Sequence, residues 1–179
     1  MKNFSNKQNT SYLIDGQRVW HSRSVAVTGL VVCRFNHIYN FLISKRGNKA
    51  ADYQDYWNLP SGYIDWNENG FEAFEREVFE ETGVDISLIY PEGKILFDNE
   101  KEPAKVFTEP TENKQNISLL YTLIFERSNL PELNFGNAAY EEVSDTLWIT
   151  VEDVDQYKFA FQHDELIKAA FGKISTMKL

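Results

Sequence analysis

The 179-residue chain has a single cysteine, Cys33. That excludes an internal disulfide, and with it the small secreted scaffolds that depend on such links. A lone thiol fits a reducing compartment, so a cytoplasmic location is expected. Nowhere do about 18 apolar residues run together, so no membrane-spanning helix is expected. The first twenty residues are mostly polar and lack the apolar core of a secretion signal. Basic residues are also short, with 18 Lys and Arg against 27 Asp and Glu and a net charge of −9. A surface that negative argues against nucleic acid or anionic lipid as a partner. The three histidines, His21, His37 and His163, show no ligand spacing, which leaves no sign of a zinc site.

What remains is the composition of an ordinary soluble domain, 42% apolar and 25% charged. The length suits one domain over residues 1–179, with residues 1–20 as a polar tail and a hairpin. Tyr12-Leu13-Ile14 and Gln17-Arg18-Val19-Trp20 flank Asp15-Gly16, a two-residue hairpin turn. Ser24 to Cys33 is β-branched and apolar, which predicts a buried strand, and Ile38 to Ser44 reads as its partner. Lys45 to Tyr56 reads as a loop. From Asn69 the period becomes helical: Asn69 can cap, Phe71, Phe74 and Val78 share a stripe, and Gly83 can terminate. Further strands are expected over Ile86 to Phe97, Lys105 to Phe107, Ile117 to Glu126 and Val143 to Thr150. Helices from Glu152 and over His163 to Phe171 close the chain. This order predicts an α/β/α sandwich around a mixed sheet.

The negative charge is concentrated. Between Gly62 and Val84 stand seven acids (Asp65, Glu68, Glu72, Glu75, Glu77, Glu80 and Glu81) and one base, Arg76. Like charges at i,i+4 destabilise a helix, so something positive should neutralise this run. Glu77, Glu80 and Glu81 lie at i, i+3 and i+4, which turns their carboxylates to one helix face. Clustered carboxylates bind Mg²⁺ or Mn²⁺ and leave room for substrate phosphate. Such a cation polarises a phosphoryl oxygen and acidifies water. Arg76, four residues before Glu80, can orient a carboxylate. Gly62 and Gly83 permit tight backbone approaches at either end. Metal-assisted hydrolysis of a diphosphate is the chemistry this pattern suits.

The same residues carry a resemblance. Gly62, five residues, Glu68, seven residues, then Arg76-Glu77-Val78-Phe79-Glu80-Glu81-Thr82-Gly83-Val84 matches every defined position of the Nudix hydrolase box, G-x5-E-x7-R-E-U-x-E-E-x-G-U with U apolar. Seven positions demand one residue type each, so a chance match is about one in a million. The Trp57-Asn58-Leu59-Pro60 lead-in, the strand-loop-helix order and the terminal helix also resemble this family. The chain departs from the family where relatives commonly read Leu-Pro-Gly-Gly and this one has Leu59-Pro60-Ser61-Gly62. It departs again at Asp65-Trp66-Asn67-Glu68, where many have Glu-Pro-Gly-Glu.

The resemblance implies an enzyme that uses Mg²⁺, with Mn²⁺ as a substitute, to hydrolyse a nucleoside diphosphate linked to another moiety. It places Glu77, Glu80 and Glu81 at the metal positions, with Glu68 as a structural residue or auxiliary ligand. Glu77, Arg76 and a distant glutamate make up the expected catalytic set. That glutamate is read as Glu142, six residues before Trp148, with Glu141 as its neighbour and Glu109 and Glu112 as weaker rivals. Arg46, Trp57 and Gly62 are the expected substrate-binding residues, Arg46 by holding a phosphate bidentately. Tyr53, Tyr56, Trp57, Tyr63 and Trp66 cluster at the box entrance, where an aromatic can stack a nucleobase. No sequence mark of an ADP-ribose, dinucleoside polyphosphate or coenzyme A subgroup is present. A homodimer is compatible with family habit and with the amino-terminal hairpin. The competing classes are a non-catalytic nucleotide-binding or regulatory protein on the same fold, and an isomerase, which would need a catalytic cysteine.

Overall fold

A computed structural model describes residues 10–99, 101–110, 116–134 and 142–177, with Trp20 by its backbone alone. Strands β1 (Thr10–Ile14) and β2 (Gln17–His21) form a separate two-stranded sheet. Asp15 and Gly16 connect them with φ of 49° and 80°, the left-handed pair that a tight hairpin turn needs.

The main sheet is built on β3 (Val25–Phe35) and β4 (Ile38–Arg46), joined at Asn36-His37 and antiparallel. β9 (Ile117–Glu126) runs parallel to β3 along ten residue pairs. β10 (Val143–Ile149) flanks β4, and β7 (Lys94–Asp98) flanks β9, both antiparallel. The order is β10-β4-β3-β9-β7. Short strands β5 (Trp57–Asn58), β6 (Ser61–Tyr63) and β8 (Lys105–Phe107) attach to β4, β3 and β9 respectively. The sheet is mixed, as expected.

Both faces of β3 are buried, which is why its sequence reads as a continuous apolar run. Val27, Val31 and Cys33 point to one layer, with α1 (Gly70–Thr82) and α2 (Ile86–Glu92). Leu30 and Val32 point to the other, with a 3₁₀ helix (Val151–Gln156) and α3 (His163–Ile174). Alternation along one strand thus feeds two cores and produces the α/β/α sandwich. Cys33 is fully buried, and burial pushes its thiol up to about 11. It is a neutral packing group, which removes the isomerase reading.

Helix α1 starts and stops where its sequence says. Asn69 Oδ1 accepts hydrogen bonds from the Phe71 and Glu72 amides, and Glu72 Oε2 accepts one from the Asn69 amide. Gly83 ends it at φ 74°, donating to the Phe79 carbonyl. A Cβ on Gly83 would lie 2.1 Å from the Asn134 carbonyl oxygen, so the close pass of that segment also requires glycine. Ala73, Phe74 and Val78 hold the helix to the sheet, with Phe74 stacked on Tyr121 at 5.5 Å between centroids.

Two expectations are corrected. Ile86 to Phe97 is not one strand: Asp85 caps α2 through the Ser87 amide at 2.9 Å, and β7 begins only after Gly93. The segment after Thr150 is a six-residue 3₁₀ helix rather than an α-helix, tied by Asp153 Oδ2, which accepts from both the Thr150 amide and its hydroxyl. α3 also runs three residues beyond Phe171, to Ile174.

Candidate active site

Arg76 is the hub of the polar face of α1. Its Nε and Nη2 donate to the two oxygens of Glu68 at 3.0 and 2.7 Å. Its Nη1 donates to Glu77 Oε1 at 2.8 Å and Glu80 Oε2 at 3.0 Å, and Nη2 also reaches the Tyr63 carbonyl at 3.0 Å. One guanidinium therefore answers three carboxylates and ties the loop after β6 to the helix. These hydrogen bonds raise the already high pKa of Arg76 and hold Glu68 below the usual carboxylate range. Glu68 Oε1 also accepts from the Asp65 amide at 2.7 Å, so it works as a clasp for this loop. Glu77 is mostly buried, and desolvation raises its pKa against the opposing pull of Arg76.

Glu81 faces the other way, into the sheet. It is buried; Ser44 on β4 donates to its Oε2 at 2.5 Å, and the Ser61 amide donates to its Oε1 at 3.2 Å. Neither partner is a cation. Burial pushes Glu81 up to about 8, with the charge of Glu77 adding to the rise. The helix spacing does put Glu77, Glu80 and Glu81 side by side. Yet among the described residues no three Asp, Glu, His or Cys side chains converge on one point. The reason is Arg76, which draws Glu77 and Glu80 to itself while Glu81 turns to Ser44.

The donor set still fits a hard divalent cation. Glu77, Glu80 and Glu81 stand within one turn of α1 and supply the carboxylate oxygens such ions prefer, and the hydrogen-bond donors to buried Glu81 are both neutral. Glu77, Glu80 and Glu81 would hold the ion, with Glu68 beside them on the same guanidinium as Glu77 and Glu80.

Gly62 explains part of this closeness. A Cβ there would lie 2.1 Å from Glu77 Oε1 and within 2.5 Å of the other carboxylate atoms. The clash is with a side-chain tip, which can swing aside. Gly62→Ala is therefore expected to fold with a melting point within a few degrees of the parent. Turnover should fall roughly tenfold because Glu77 is displaced. Thermal unfolding beside steady-state kinetics checks both halves.

The remaining expected residues are sorted by burial. Trp57 is only 8% exposed, edge-on to Tyr157 at 5.2 Å, with its backbone paired to Lys158 and Ala160. Its indole is packed in the core against Tyr157. Arg46 donates to the Asp52 carbonyl at 2.9 Å and to Asp52 Oδ1 at 2.8 Å and lies over the Phe161 ring, which pins the loop after β4. Its positive field is felt at Glu81. Glu142 is exposed in the turn just before β10, its carbonyl accepting from the Gly47 amide at 2.6 Å, one residue beyond Arg46. Glu141 and Glu112 lie outside the described residues, and Glu109 is exposed. His163 is buried and accepts the Leu59 amide at 3.0 Å through Nδ1, fixing the box lead-in to α3. At the box entrance Tyr63 is 58% and Trp66 93% exposed.

The site is plain: an arginine-centred carboxylate cluster on the helix that packs against a mixed sheet. The family is equally plain: the NUDIX domain model matches residues 23–170, and the chain belongs to that family. No curated protein matches its sequence. Among solved structures it resembles the NUDIX domain of Shewanella oneidensis NrtR complexed with ADP ribose. That likeness has 21% identity and a TM-score of 0.64, over 86% of this chain and 90% of that one. It also resembles a bifunctional NMN adenylyltransferase/ADP ribose pyrophosphatase from Francisella tularensis, complexed with AMP and a Mn ion. There the values are 23% identity and TM-score 0.65, over 85% of this chain but 42% of that longer one. An Ap4A hydrolase from C. elegans matches at 16% identity and TM-score 0.60, over 86% and 99% of the two chains. At these identities the neighbours establish the fold.

Proposed function

We propose that the chain is a Mg²⁺-dependent hydrolase of nucleoside diphosphates linked to a second moiety, such as nucleotide sugars or ADP-ribose-like compounds. The observation that carries this reading is the Arg76 cluster with the buried Glu81 beside it. Structural neighbours bound to ADP ribose and to AMP with Mn support the ligand class. The cation held by Glu77, Glu80 and Glu81 would polarise the phosphoryl group and acidify water. Arg76 keeps Glu77 and Glu80 oriented between turnovers. Glu142 is the proposed base: it takes a proton from water as the water oxygen bonds to phosphorus. The bridging P–O bond then breaks, releasing two phosphorylated products. Arg46 is the proposed contact for substrate phosphate, and Gly62 gives backbone access beside Glu77.

For the nucleobase, Trp66 and Tyr63 are the exposed aromatics on the loop that Arg76 clasps. Trp66→Ala is expected to raise KM about tenfold with kcat within about twofold, as loss of one stacking contact would. An unchanged KM takes Trp66 out of substrate binding. The substrate itself is named by incubating the protein and Mg²⁺ with nucleotide sugars, ADP-ribose, NADH, dinucleoside polyphosphates and nucleoside triphosphates. Products are resolved by chromatography, with Glu81→Gln as control. Cleavage of one compound that the variant loses supports the reading. Thermal stabilisation by a compound without cleavage supports a nucleotide-binding regulator instead.

A further inference from the structure

Ser44 lies two residues before the end of β4, 37 residues before Glu81 and outside the box, and it is fully buried. A hydroxyl buried in a strand needs a partner, and this one has a short bond to a carboxylate. Ser44 Oγ donates to Glu81 Oε2 at 2.5 Å, and Asn58 Oδ1 stands on its other side at 3.4 Å. Asn58 is buried too. Its Nδ2 donates to the Leu59 carbonyl at 2.7 Å and to Ser61 Oγ at 3.2 Å, while the Ser61 amide closes the ring on Glu81 Oε1. β5 pairs Asn58 directly with Ser44. Glu81 is thus gripped at both oxygens by groups fixed in the sheet and the box lead-in. Glu77 and Glu80, by contrast, rest on the partly exposed Arg76.

We propose that Ser44 is a positioning residue that fixes the rotamer of Glu81 so that its carboxylate presents one oxygen to a divalent cation. The inference rests on the reading of Glu81 as a metal ligand. Groups that orient a ligand from behind cost 10- to 100-fold in metal affinity when removed. Of the two partners, only Ser44 supplies a side chain that can be deleted without disturbing the backbone.

The test is the Mn²⁺ dissociation constant of the substrate-free protein, read by the electron paramagnetic resonance of free Mn²⁺. The parent, Ser44→Ala, Glu81→Gln and the double variant are compared. Ser44→Ala should weaken Mn²⁺ binding about tenfold. In the Glu81→Gln background it should add no further loss, because the group it acts through is gone. Ser44→Cys, of similar size with a weak donor, should fall between parent and Ser44→Ala, and it carries the test if Ser44→Ala does not fold. Weakening by Glu81→Gln but not by the Ser44 variants overturns the positioning role and leaves the ligand assignment standing. Additive losses in the double variant also overturn it, since they mark a structural effect. No weakening by Glu81→Gln removes Glu81 from the metal site, and the role of Ser44 goes with it.

Discussion

Glu81→Gln is expected to leave the chain folded and to lower turnover by about 100-fold or more, as loss of a group that holds transition-state stabilisers does. The fold survives because the amide matches the carboxylate in volume and can satisfy the same two partners. Its oxygen can accept from the Ser61 amide. Its NH₂ can then face Ser44, whose hydroxyl rotates from donor to acceptor. Stability near neutral pH should hold or rise, since a glutamine needs no proton to be buried, whereas burial pushes Glu81 up to about 8 and makes it take one up on folding. Single-turnover kinetics at saturating Mg²⁺, beside thermal unfolding, separates the two effects. An undiminished rate takes Glu81 out of the mechanism.

Removing Arg76 should act on stability and metal binding together. In Arg76→Gln, Glu68, Glu77 and Glu80 lose their shared counter-charge while two of them stay mostly buried. Breaking a partly buried ion cluster by removing one partner costs about 2–4 kcal/mol after allowance for exposure. At this chain length that corresponds to a melting point roughly 5–15 °C lower in EDTA. Added Mg²⁺ should recover more stability in the variant than in the parent, because the cation no longer competes with the guanidinium for Glu77 and Glu80. Turnover should still fall, since the loop through Tyr63 and Glu68 is released. Melting curves of both proteins with and without Mg²⁺ decide the matter. Equal recovery in both would mean that arginine and metal do not share these carboxylates.

Local signals carried much of the fold in the sequence. Asn69 with Glu72, and Gly83 fourteen residues after the cap, bound α1 because capping and left-handed termination act within one turn. The β-branched, mostly apolar run of β3 announced a buried strand. α2 was harder to see, because its Asp85 cap follows the Gly83 stop so closely and Pro91 sits in its last turn.

In the site, the spacing of Glu77, Glu80 and Glu81 put the three within one turn of α1, but did not reveal that Glu81 turns into the sheet while the other two turn to Arg76. It did not show that Arg76 also gathers Glu68 from eight residues back. That contact depends on the bend at Asn67, where φ is 70°. The grip of Ser44 on Glu81 depends on β4 lying under α1, and one sequence has no local signal for that. The sorting of the aromatics was equally hidden: Trp57 and Trp66 look alike in sequence, and only packing separates 8% from 93% exposure.

The central claim is metal-assisted attack of water on a phosphoanhydride. The most direct measurement is ³¹P NMR of the products formed from a cleaved nucleoside diphosphate derivative in H₂¹⁸O. It is run on protein stripped with EDTA and again after Mg²⁺ is restored. The account predicts no turnover in EDTA, recovery with Mg²⁺, and one ¹⁸O atom in one of two phosphorylated products. Full turnover in EDTA, or products free of ¹⁸O, would contradict it.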